Sequence, residues 1–339
     1  AYKDELKAKK PVRIDPKTNE IKAVAEVIKE QLGSTANLAK AMRDTAAIWL
    51  GKKSKMSVPF HKVPNSPLST QLTGARRFVA QSWSFDRVRA VGKAYDGSLN
   101  DAVLAMCAGA LRKQLMTQKA LPKEPLTAMA PVSLRAAGDI DSSNAVGMIC
   151  ANLHTNVRNP EKRMRQIKES MDVAKAQLEQ MTAREIQIYT GISQAPLLLT
   201  QVTGLGSRFP AYSTVISNVP GPREKRYWNG ARLNGIYPVS IPMDGAAANF
   251  TVVSNYENLD FGIVACRKSV PHVQNLIDYM EDSLVELEDA AGLRTPSGRL
   301  RTTRKKVTAK ARAGAKAEQK LQPGSATADK PKSTESSPE

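Results

Sequence analysis

Apolar positions in the first fifty residues recur at helical spacing. Ile21, Val24, Ile28 and Leu32 mark one helix, and a second helical run ends near Trp49 and Leu50. Residues 51–70 carry Gly51, Pro59, Pro64 and Pro67 among several lysines and read as a connector. Over residues 76–85 the apolar period falls to two, which predicts a strand, and a short helix follows over 86–95. Residues 98–116 give the clearest helix. Ser98 and Asp101 make a capping-box start, and Leu99, Val103, Met106, Ala110 and Leu111 share one face.

Residues 126–134 and 146–154 predict buried strands. A long polar helix covers 160–180, with more helix on to Val202. A strand over 212–219 ends at Pro220-Gly221-Pro222, and 249–255 with 259–265 predict a hairpin about Glu257-Asn258. Pro271 opens a last helix with Val273, Leu276, Ile277, Met280, Leu284 and Leu287 on its core side. After Gly292 the chain turns Lys/Arg/Ala/Thr/Ser/Pro-rich without apolar periodicity, the pattern of a disordered tail. From about Thr73 strands and helices mix, and there is no internal repeat.

Composition changes this picture mainly through charge. The 339 residues suffice for one large domain or two smaller ones, and the net charge is +18. From Thr295 onward eleven Lys/Arg face four Asp/Glu, so the remaining residues are themselves basic. Such a surface suits anionic partners, whether phospholipid head groups, phosphate-bearing cosubstrates or nucleic acid, or simply confers solubility. No aromatic-and-basic stacking surface is evident in the body, which disfavours nucleic acid. Cys107, Cys150 and Cys266 are scattered without metal-ligand spacing and read as reduced thiols of a cytoplasmic protein. No apolar run reaches membrane-span length, so membrane contact is expected to be peripheral.

The common site signatures are missing. The sequence holds no Gly-rich dinucleotide loop, P-loop, HExxH or Cys/His metal pattern. Its three histidines, His61, His154 and His272, stand apart in sequence and read as surface or structural residues. The apolar stretch 195–205 reads as core, with an acyl-chain channel or a lipid-facing surface as the alternatives.

Several segments together carry a resemblance. Ile216-Ser217-Asn218-Val219-Pro220-Gly221-Pro222, then Tyr227-Trp228-Asn229-Gly230-Ala231, then Leu233-Asn234-Gly235-Ile236-Tyr237-Pro238-Val239-Ser240 resemble the C-terminal stretch of the bacterial wax ester synthase/diacylglycerol acyltransferase family, closest to its marine type. Leu72-Thr73-Gly74-Ala75-Arg76-Arg77-Phe78, Leu99-Asn100-Asp101 and Pro131-Val132-Ser133-Leu134-Arg135 fall in the family's order upstream. The resemblance covers residues 70–292.

It implies an α/β fold of the CoA-dependent acyltransferase kind, shared with chloramphenicol acetyltransferase and condensation domains. The C-terminal half of such a fold has a mixed sheet with packed helices. The resemblance further implies residues 1–70 as an interdomain linker with helices at the end of a truncated N-terminal half, 71–292 as the C-terminal acyltransferase domain, and 293–339 as a basic tail. It implies transfer of an acyl group from acyl-CoA to a long-chain alcohol or diacylglycerol, directly in a ternary complex, with no metal or redox cofactor. The location implied is the cytoplasmic side of the inner membrane or a lipid inclusion.

The family's base lies in an HHxxxDG motif. This sequence contains no His-His pair, so no residue takes that role by the family's pattern, and a missing N-terminal domain is the implied partner. The residues left to support a site are Asn100 and Asp101 at a helix start, and Ser217, Asn218 and Gly221 at a strand end. For each there is an alternative: Asn100 and Asp101 capping the helix, Ser217 and Asn218 organising the turn, Gly221 serving conformation. Arg135 is the candidate for a CoA phosphate or else a solvated arginine. A non-catalytic lipid- or CoA-binding module is the competing reading of the whole chain.

Overall fold

Six strands form one mixed sheet in the order β1-β8-β7-β4-β2-β3. They are β1 (Arg76–Ser84), β2 (Thr127–Ser133), β3 (Val146–Asn152), β4 (Thr214–Val219), β7 (Ala248–Asn255) and β8 (Asn258–Cys266), and a small exposed hairpin joins β5 (Tyr227–Trp228) to β6 (Ala231–Arg232). The computed structural model describes residues 36–133 and 146–294. By its contacts the chain divides at Gly292, and the fold set out below belongs to the unit before that point. Described helices are α1 (Ala36–Trp49), α2 (Phe85–Ala94), α3 (Leu99–Thr117), α4 (Pro160–Glu179), α5 (Ala183–Val202) and α6 (Asn275–Ala290). The helical run expected near residue 21, residues 134–145 and the segment from Thr295 onward lie outside the described residues.

Strands β1, β8 and β7 pair antiparallel, as do β2 and β3, while β4 lies parallel to both β2 and β7. The β7–β8 hairpin turns through Tyr256 and Glu257, one residue earlier than the sequence suggested, with Tyr256 at positive φ. One sheet face carries Val79, Trp83, Phe250, Val252, Phe261 and Ile263, all buried. The indole of Trp83 meets Phe261 edge-on at 4.9 Å, and its Nε1–H donates to Glu281 of α6 at 2.7 Å, which marks this as the helix-covered face.

Helix α3 lies at the centre of that layer, in contact with α2, α4, α6 and β4. Its apolar pattern predicted one buried face; instead every residue from Asp101 to Leu111 is buried. Small side chains make that possible, because Ala102, Ala105, Ala108, Gly109 and Ala110 let neighbours close in on all sides. A Cβ on Gly109 would run into Ser283 of α6. Arg163 of α4 is buried beside this contact, and its Nη1–H groups serve the carbonyls of Val157 and Arg158.

Arg87 on α2 clasps α6. Its Nε donates to Glu288 at 2.9 Å and its Nη2 to Glu281 at 2.9 Å, with Glu288 buried and Arg87 mostly so. Removing the guanidinium strands a buried carboxylate, so Arg87→Ala is expected to destabilise the fold by about 3 kcal/mol. Urea unfolding monitored by circular dichroism measures this directly, and a loss below about 1 kcal/mol would mean that Glu288 finds water instead.

Candidate functional site

Strand alternation decides which side chains of the Ser217-Asn218 segment can act together. Ser217 is in register with Thr251 and, across β7, with Gly262. Asn218 is in register with Val252 and, beyond it, Phe261. Neighbouring residues of a strand face opposite ways, so Asn218 belongs to the helix-covered face and Ser217 to the other. Both are half-buried at the strand's C-terminal end, and neither side chain has a hydrogen-bond partner among the described residues.

The face that carries Ser217 is partly roofed by residues 233–243, which cross it as a strap held by side chains instead of a backbone ladder. Asp260, fully buried, accepts the Ile236 N–H at 2.7 Å, the Ser82 hydroxyl at 2.6 Å and the Asn255 amide at 3.1 Å. The Tyr237 hydroxyl meets Ser82 Oγ at 2.9 Å. The Pro238 carbonyl lies so close to Gly262 that a Cβ there would collide with it. Thr251 donates to Ser240 at 2.7 Å, and the Asn249 amide donates to the Ile241 carbonyl at 3.0 Å. Ser217 therefore neighbours a short polar row, Asn249 and Thr251, already satisfied by the strap.

Gly221 has a conformational role. Its N–H donates to Ser254 Oγ at 2.8 Å, and a Cβ would meet the Ser254 carbonyl oxygen and the Val253 side chain. The Tyr256 N–H then closes on the Pro222 carbonyl at 2.9 Å. These contacts pin the Pro-Gly-Pro turn to the β7–β8 hairpin and fix the strand end that presents Ser217 and Asn218.

At the start of α3 the two candidates separate. Asp101 completes the capping box: its Oδ2 accepts from the Ser98 N–H and hydroxyl, both at 2.7 Å, while Ser98 Oγ accepts the Asp101 N–H. Its Oδ1 lies 3.7 Å from Lys175 Nζ. Asn100, half-buried in the same turn, has no side-chain partner among the described residues. Its amide and the positive end of α3 both favour negative charge nearby. Asn100 and Asn218 both belong to the helix side of the sheet, and Ser217 does not. Arg135 lies outside the described residues, so its candidacy for a phosphate has no geometry attached.

The histidines stay apart. The ring of His61 lies tilted against that of Trp49, with centroids 6.0 Å apart. His154 takes a positive φ, and burial pushes its pKa down to about 4 against a partly offsetting pull from Glu169. His272 likewise sits at positive φ. Among the described residues no three His, Cys, Asp or Glu side chains group as metal ligands.

The core expectation for residues 195–205 is corrected. Gln194, hydrogen-bonded to the Tyr212 hydroxyl, and Leu197, packed on Cys150, Ala211 and Tyr212, do face inward. Leu198, Leu199, Val202 and Leu205 are exposed.

Two family models match the chain. The WS/DGAT C-terminal domain covers residues 142–288, and the wax ester synthase/diacylglycerol acyltransferase catalytic domain covers residues 3–103. The chain belongs to the wax ester synthase/diacylglycerol acyltransferase family. The second match ends in the first turns of α3 and includes Asn100 and Asp101, whereas Ser217 to Gly221 fall within the first.

Among curated relatives, a probable diacylglycerol O-acyltransferase of Mycobacterium tuberculosis is 43% identical over 273 residues, covering 80% of this chain and 60% of the relative. The O-acyltransferase WSD of Acinetobacter baylyi is 39% identical over 270 residues, covering 80% and 58%. The solved wax ester synthase/diacylglycerol acyltransferase of Marinobacter aquaeolei VT8 superposes with a TM-score of 0.62 at 40% identity, covering 77% of this chain and 58% of that one. The chain thus spans about 60% of the length of the curated relatives it matches. Its fold is the α/β fold of this family, with a mixed sheet and packed helices.

Sequence reasoning missed the strap's anchor. Asp260 is a charged residue inside the apolar run of β8, and that conflict was the available signal.

Two outcomes follow from this geometry. Gly221→Ala should cost about 1–3 kcal/mol by overpacking against β7, read as a lowered unfolding midpoint. His154 is held neutral in the fold, with a folded pKa below the unfolded 6.5, so its contribution to stability is present above pH 6.5 and is lost as pH falls toward about 4. His154→Asn, which tolerates the same positive φ, should flatten the stability-versus-pH curve over that interval. An unchanged slope would assign acid sensitivity to other groups.

Proposed function

We propose that this chain forms one wall of an acyl-CoA-dependent O-acyltransferase site, making wax ester or triacylglycerol from a long-chain alcohol or diacylglycerol. The observation that carries the reading is the pair of half-buried amides, without side-chain partners among the described residues, at fixed ends of secondary structure on the helix side of the sheet. Asn218 is held by the pinned Pro-Gly-Pro turn, and Asn100 by the capped start of α3. Membership of the family supports the same reading.

In acyl transfer the acceptor oxygen attacks the thioester carbonyl, the carbonyl oxygen gains negative charge, and the CoA thiolate leaves as the carbonyl re-forms. A preorganised amide N–H aimed at that oxygen stabilises the charge where it develops, without reorganisation at the moment of reaction. Asn100 adds the positive end of α3. Proton removal from the acceptor needs a base, and the reading assigns that to no residue of this sequence, since it has no His-His pair. The cosubstrate is acyl-CoA, with no further cofactor. The charge-free run 186–207 with its exposed leucines suits the acyl or alcohol chain.

The absent histidine pair favours a second reading, in which the chain binds acyl-CoA or lipid without turnover. Acyl transfer from palmitoyl-CoA to hexadecanol or dipalmitoylglycerol separates the two. The purified chain alone is expected to give no turnover, and adding an HHxxxDG-bearing N-terminal domain from a relative should restore it. Asn218→Ala should then lower kcat by about a hundredfold with an unchanged unfolding midpoint. Turnover by the chain alone would overturn the assignment of the base, and palmitoyl-CoA binding with no turnover in any mixture would favour the second reading.

A further inference from the structure

Between β2 and β4 the sheet is only partly closed. The two strands run parallel, yet they pair only at Ala128 with Thr214 and Met129 with Val215, although β2 continues to Ser133 and β4 to Val219. A proline explains the stop. The Leu153 N–H donates to the Leu126 carbonyl at 2.9 Å, so the even-numbered residues of β2 turn their backbone groups to β3. The odd-numbered ones turn theirs to β4, where the Thr127 carbonyl accepts the Ser213 N–H at 2.9 Å. Pro131 is the next in that series after Met129, and it has no N–H to give.

The facing edge of β4 follows by the same alternation. The Cys266 N–H donates to the Ala247 carbonyl, so the odd residues of β7 serve β8 and the even ones serve β4. With Val215 in register with Asn249, those bonds engage the odd residues of β4. Ile216 and Asn218 therefore turn their backbone groups to β2. Beyond the last pair, the Ile216 carbonyl and the Asn218 N–H have no backbone partner among the described residues. Pro220, next in the series, again lacks an N–H. The free edge is thus one acceptor and one donor, about 7 Å of strand, with a proline limiting it on each strand.

We infer that Pro131 is a positioning residue that keeps this seam open, and that the Ile216 carbonyl and Asn218 N–H take the amide-bearing arm of the acyl thioester. The inference deepens the acyl-transfer proposal and rests on it. Length selects the occupant, because an edge this short offers a protein strand too little pairing to hold it. A residue in place of Pro131 would fill the gap with an N–H and a C=O pointing to one side. The arm of CoA carries the same pair in its β-alanine unit, the N–H of one amide and the carbonyl of the next. Its thioester sulfur follows two methylenes after the second amide, so the reacting carbonyl lies a few bonds from the Asn218 N–H that holds the arm.

The test needs no turnover and uses the full 339-residue chain, alone and mixed with the HHxxxDG-bearing domain. Hydrogen exchange at the Asn218 amide should be fast in the wild type. Pro131→Ala supplies the missing N–H, extends the β2–β4 pairing by a rung, and should slow that exchange at least tenfold. Saturating the wild type with S-octanoyl-pantetheine should do the same. By calorimetry S-octanoyl-pantetheine should bind about tenfold more tightly than S-octanoyl-N-acetylcysteamine, which keeps only the amide beside the sulfur. Pro131→Ala should erase that preference and leave the affinity for the shorter thioester unchanged, whereas a merely structural proline would shift both alike. If Pro131→Ala fails to fold, exchange at Asn218 in the wild type with each thioester still decides. Slow exchange in the free wild type, equal affinity for the two thioesters, or a preference that survives Pro131→Ala would each overturn the inference. Turnover without the preference keeps acyl transfer and removes this inference, while preference and protection without turnover in any mixture do the reverse.

Discussion

Four separate segments converge on the carboxylate of Asp260. Ser82 brings β1, Asn255 brings β7, Ile236 brings the strap, and Asp260 itself belongs to β8. A charge this deeply buried is tolerated only because hydrogen-bond donors surround it. Those donors in turn hold residues 233–243 across a sheet face that would otherwise lie bare. The strap leaves Thr251 and Asn249 satisfied beside Ser217. The buried acid and this polar row hold the roof over that face together.

The opposite face is organised by close packing around α3. Its run of alanines with Gly109 allows α2, α4 and α6 to approach on every side, and the Arg87 clasp ties α2 to α6. That rigid layer holds the capped start of α3, where Asp101 is used up by the cap and Asn100 is left available. The proposed site therefore joins a helix start fixed by packing with a strand end fixed by the Pro-Gly-Pro turn. Preorganisation of this kind is what a stabilised oxyanion requires.

Exposure of apolar side chains is the second theme. Leu198, Leu199 and Val202 on α5, Trp49 and Leu50 on α1, and Trp228 on the small hairpin all face outward. The chain spans about 60% of the length of its curated relatives, and the exposed leucines of α5 are where the proposed contact with a substrate chain falls.

The sequence by itself determined the elements and several local devices. Periods of two and 3.6 located the strands and helices, the Ser98–Asp101 spacing located the cap, and ordered motifs placed the chain in its family. These are short-range effects, set by backbone geometry and neighbouring side chains. Tertiary structure alone decided the rest. It put Asn218, and not Ser217, on the face that the helices cover, which no alternation along the strand could tell. It enclosed α3 on all sides from Asp101 to Leu111 and left the second half of α5 exposed, although both are apolar, because burial depends on what packs against a helix and not on its own composition. The strap, finally, is held by side chains distant in sequence, and no periodicity records such contacts.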